Sequence, residues 1–93
     1  MNQDQSIRNK AALKAYKQSI SRYIRAAMVL NGIKYDQLTE RLQQLDIHLT
    51  ADNLRSKVSK GMFSADLFVA IIQVLDSQEQ AMTDIIKQVQ QQS

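Results

Sequence analysis

The chain has no cysteine, no proline and only two glycines. Without cysteine there is no disulfide framework, no thiolate nucleophile and no cysteine-ligated zinc, and a reducing compartment, the cytoplasm, is the expected setting. With proline absent and glycine scarce, the turn chemistry that β-architectures need every 8 to 12 residues is missing. Long apolar runs are missing as well. The longest covers six residues, 67–72, where a membrane span needs about 20, and the N-terminus carries no apolar signal region. Aromatic residues are limited to three tyrosines and two phenylalanines, too few for the stacking platform of the usual RNA-binding modules. These absences point to an all-α chain that neither spans a membrane nor is secreted.

The 93 residues suit one domain, 1–93, with a modest core. Apolar residues make up 44% and charged residues 23%, which is ordinary globular usage in spite of thirteen glutamines. Leu13, Tyr16, Ile20, Ile24 and Ala27 recur at steps of three and four, so a long helix is expected over 6–30 with this stripe facing inward. Gly32 should stop it, because glycine takes the left-handed conformation without steric cost. A second, amphipathic helix is expected over 35–45 on Tyr35, Leu38, Leu42 and Leu45. Thr50 can cap a third over 50–61, with Ala51, Leu54 and Val58 inward and Gly61 as its stop. A fourth, over 64–76, is apolar on nearly every side and is expected to be surrounded by the others. Ser77 and Gln80 have capping-box spacing before a last helix over 78–90, whose stripe is Met82, Ile85, Ile86 and Val89.

Net charge is only +3, but it is unevenly spread. Residues 5–35 hold Arg8, Lys10, Lys14, Lys17, Arg22, Arg25 and Lys34 with no acid, and 36–52 hold four acids against Arg41. Residues 53–61 are basic again through Arg55, Lys57 and Lys60, and 62–93 hold four acids against Lys87. Two basic helices on an otherwise acidic domain suit a polyanion on one side, nucleic acid above all. A solvated helix face is the plainer alternative for any charge run taken alone.

A helix, a turn and a shorter capped helix carrying basic and amide side chains form the arrangement by which small domains enter the major groove. Residues 35–61 have that order. Opposite the buried side of the third helix stand Asn53, Ser56 and Lys60, the candidates for reading base edges, with Asp52 and Ser59 nearby. Arg22, Arg25, Lys34, Thr50, Arg55 and Lys57 are the candidates for phosphate. In Gly32-Ile33, Leu38-Thr39, Leu54, Val58 and Gly61 before Phe63-Ser64, the stretch 23–75 resembles the phage-repressor or Cro-like helix-turn-helix class. The run NLRSKVSKGMFSA, 53–65, looks like that of a family of small bacterial domains related to this class. The resemblance implies a compact five-helix, lambda-repressor-like DNA-binding fold that works as a homodimer. The link at 44–49 is longer than the class's tight turn and lacks its small residue and glycine, and Lys34 replaces the Ser or Thr cap of the second helix.

His48 is the only histidine and has no partner at ligand spacing, so it reads as a loop residue and no metal or other cofactor is expected. Phe63 and Phe68 should pack rather than stack on bases, and Tyr16 and Tyr23 should pack along the first helix. Asp36 and Glu40 read as a solvated face and no phosphate loop exists, so an enzyme is not expected. The expected function is that of a transcriptional repressor of phage or bacterial type, with no small-molecule effector, dimerising through Met82, Ile85, Ile86 and Val89 or through the start of the first helix. A helical module or phage-encoded inhibitor that docks on another protein through the same basic face is the alternative.

Overall fold

The structure, a computed structural model, describes residues 3–75 and 81–92, with side chains over 5–75 and 83–91. Five helices and the short links between them account for these residues and no strand occurs among them: α1 (Gln3–Leu30), α2 (Tyr35–Gln44), α3 (Ala51–Lys60), α4 (Ala65–Val74) and α5 (Ala81–Gln92). Residues Ser77 and Gln80, expected to form a capping box, lie outside the described residues.

The 28 residues of α1 rise about 1.5 Å each, so this helix runs the whole 42 Å of the longest dimension. It packs against α3 and α5, while α2 packs against α3 and α4. The core lies where these helices meet: Ile24, Leu38, Leu42, Leu54, Val58 and Ile71 are fully buried, joined by Tyr23, Ala27, Met28, Ile33, Leu75 and Ile85. Phe63 and Phe68 pack on it and on each other, with ring centroids 6.2 Å apart.

Three helix ends share one backbone device. At each, a residue in the left-handed region lets two amides fold back on the last carbonyls, the Schellman arrangement. Gly32 (φ 63°) ends α1, with Ile33 N donating to Met28 O at 2.8 Å. Gly61 (φ 61°) ends α3, with Met62 N donating to Lys57 O at 3.2 Å. Asp46 (φ 64°) ends α2, with Ile47 N donating to Leu42 O at 3.0 Å. Aspartate tolerates this region better than most side chains, and the link to α3 is then pinned by half-buried Ile47 and Leu49.

Two expectations need correction. The stripe of α1 is buried only along its second half: Ile24 and Ala27 are in the core, whereas Leu13 and Tyr16 are each 51% exposed. Nor is α4 surrounded, since Val69 is 63% exposed. The C-terminal end of α4 is held from α1 and α2: Arg41 Nη1 donates to Val74 O at 3.0 Å, and Asn31 Nδ2 to Leu75 O at 3.4 Å as well as to Ala27 O at 2.8 Å.

Candidate functional site

The helix α3 is built to present a polar face. Thr50 Oγ1 accepts from Asn53 N at 3.1 Å, closing one of the open amides at the helix start. Asp52 lies in the first turn and Lys57 and Lys60 in the last, each where the helix dipole favours its charge. Burial of Leu54 and Val58 fixes the rotation of the helix. Asn53, Ser56 and Lys60, spaced i, i+3 and i+7, consequently stand together on the solvent side, with Asp52 and Ser59 also exposed. Thr50 is exposed too, and although its oxygen caps the helix its hydroxyl proton is left to donate.

Beside this face three cations from three elements converge. Arg25 of α1, Lys34 at the head of α2 and Arg55 of α3 line a groove of about 580 Å³, together with Met28, Val29, Ile33, Tyr35 and Asp36. Lys34 cannot cap α2 with its own side chain, since an ammonium accepts nothing. Instead Gln37 Oε1 accepts from Lys34 N at 2.9 Å, which leaves the ammonium free of capping work. Arg55 is oriented by two contacts: its guanidinium lies 5.1 Å from the centre of the Tyr35 ring, and Nη1 donates to Asp52 Oδ1 at 2.9 Å. Both partners of the ion pair are well exposed, so the pair is worth at most about 1 kcal/mol and yields readily to a competing anion. Arg22 is exposed on α1 and Lys57 is half-buried on α3; neither lines this groove.

Asp52, Tyr35 and Asp36 belong to this site as well, and the sequence alone does not mark them as ligand contacts. The i, i+3 spacing of Asp52 and Arg55 is the one signal in the sequence that could have pointed to the pair. No sequence signal links Tyr35 to Arg55, because the two lie on different helices.

The apolar stripe of α5 differs from expectation. Ile85 is buried within the protomer because α5 lies on α1, Val89 is half-buried, and Ile86 is the exposed member, while the Met82 side chain lies outside the described residues. Ile85 is therefore a core residue and not an outward contact. The exposed apolar residues Ile7, Leu13 and Tyr16 mark the start of α1 instead.

His48 is exposed, and its Nε2 lies 2.9 Å from Asp46 Oδ1. Among the described residues no group of three or more His, Asp or Glu comes together as a metal site would require, and no helix among them is long and apolar enough to cross a membrane.

No curated protein and no solved structure matches the chain. A family model described as "Domain of unknown function (DUF6471)" matches residues 16–80, taking in the second half of α1 and all of α2, α3 and α4. Every side chain of the groove and of the α3 face lies inside that match, and α5 and the first turns of α1 lie outside it. The chain belongs to the DUF6471 family.

Proposed function

We propose that the protein is a sequence-specific DNA-binding regulator with a lambda-repressor-like helix-turn-helix fold, acting as a homodimeric repressor that lays α3 in the major groove. The observation that carries this reading is the exposed polar face of α3 with a cluster of cations at its side. Asparagine suits the adenine edge, lysine the guanine edge, and serine either, so Asn53, Ser56 and Lys60 read bases. Arg25, Lys34 and Arg55 hold one stretch of backbone, with Arg22, Thr50 and Lys57 adding phosphate contacts around it. Two copies of α3 about 34 Å apart then meet successive turns of a near-palindromic duplex. With Ile85 committed to the core, the dimer contact falls to Ile86 and the exposed start of α1, at Ile7, Leu13 and Tyr16.

Selection of duplexes from a random pool, followed by binding at several salt concentrations, tests the reading. The five cations placed on phosphate in each protomer give a slope of about −4.5 per protomer, about −9 for the dimer, in log affinity against log salt, and the selected sequences carry a two-fold motif. Replacing Asn53 and Ser56 by alanine relaxes the preference by about 1 to 3 kcal/mol per specific contact, whereas Lys57→Ala weakens all duplexes alike. Binding with no duplex preference, or none at all, would replace this reading by that of a protein-docking module.

A further inference from the structure

A phosphate held at the groove between α1, α2 and α3 uses its three cations and has no use for its floor. That floor is apolar: Met28 and Ile33 reach it from the core, Tyr35 is half-buried, and Val29 stands on its wall 80% exposed. Among the described residues only the adjacent Leu30, at 86%, is a more exposed large hydrophobic. Apolar surface left open beside converging cations is complementary to a molecule that has both an apolar body and a negative head.

We propose that this groove binds a small amphipathic carboxylate, an aromatic or medium-chain acid. Its body lies on Val29, Ile33 and Tyr35, and its carboxylate is held by Arg25, Lys34 and Arg55. The volume of about 580 Å³ falls within the 300 to 1,000 Å³ usual for small-molecule sites. The head lies beside the start of α2, where the helix dipole favours negative charge. Asp36 is the single acid on the lining and Asp52 stands beside it on Arg55, so three cations face two acids and the balance of charge favours an anion over a cation. Arg55 moves from the exposed Asp52 carboxylate to the ligand at little cost, and Tyr35 keeps its guanidinium over the groove. The site does not depend on the DNA reading. If both hold, acid and backbone phosphate compete for the same three side chains, and each weakens the other's binding by the same factor.

The test is a titration of the full chain, free of DNA, with 1-naphthoate, with decanoate and with acetate, followed through backbone amide signals. Saturable shifts at Val29, Ile33, Lys34 and Tyr35 with naphthoate or decanoate, and none with acetate, are expected. The double variant Arg25→Ala, Lys34→Ala and, separately, Val29→Asp should each weaken binding about tenfold or more. All three positions are exposed, so the fold survives the changes. Equal shifts with acetate, shifts scattered over the surface, or unchanged affinity in either variant would overturn the proposal. Failure of the DNA reading appears separately, as absence of salt-dependent duplex binding with the titration intact.

Discussion

The junctions α1–α2 and α3–α4 use the same turn and differ in what surrounds it. Gly32 and Gly61 have nearly identical backbone angles, φ 63° and 61°. A Cβ placed on Gly32 meets open space, whereas one placed on Gly61 overlaps the Lys17 carbonyl of α1. At the first junction glycine is needed only for its torsion. At the second it is also the point where the presenting helix touches the long one, so it sets how closely α3 approaches α1. One residue type in one conformation thus performs two jobs, and only the neighbours tell them apart.

That difference can be broken by substitution. Gly61→Ala combines left-handed strain with backbone overlap and should destabilise by about 3 kcal/mol or more in denaturant unfolding; a loss no greater than that at Gly32 would refute the close approach. Gly32→Ala should cost about 1 kcal/mol, the torsional part alone. Asp46 holds the same conformation without being glycine, so Asp46→Gly should stabilise by about 0.5 kcal/mol, with the exposed contact to His48 contributing little. The smallest effect is electrostatic. The Ser64 hydroxyl and the Leu67 amide at the start of α4 hold the Asp66 carboxyl below its ordinary range. A depressed folded-state pKa means that the unfolded chain binds more protons, so this contribution is complete at neutral pH and fades on acidification through the carboxylate range. Asp66→Asn should flatten the acid limb of the stability profile slightly.

The helices and their stops could be read along the chain because they depend on neighbours three and four residues apart. Gly32, Thr50 and Gly61 act where the spacing puts them. The left-handed Asp46 could not be read, because aspartate occupies many conformations and only the half-buried Ile47 and Leu49 select this one. Periodicity told which side of α1 faces the core but not how far the core extends, which is why Leu13 and Tyr16 sit in the right phase and still meet solvent. The same limit explains Val69, since an all-apolar helix does not state how many neighbours it has. In the site, the exposure of Asn53, Ser56 and Lys60 followed from the burial of Leu54 and Val58. The meeting of Arg25, Lys34 and Arg55 in one groove is a tertiary event among three helices, and the chain shows only that cations are dense there.

The seating of α5 on α1 has a consequence for synthesis. Three helices separate the two, and a ribosome adds about 5 to 20 residues per second. For some seconds the surface of α1 on which α5 packs has no cover. Fusing a stalling sequence after α4 should therefore leave a protease-sensitive chain, and extending synthesis through α5 should restore resistance.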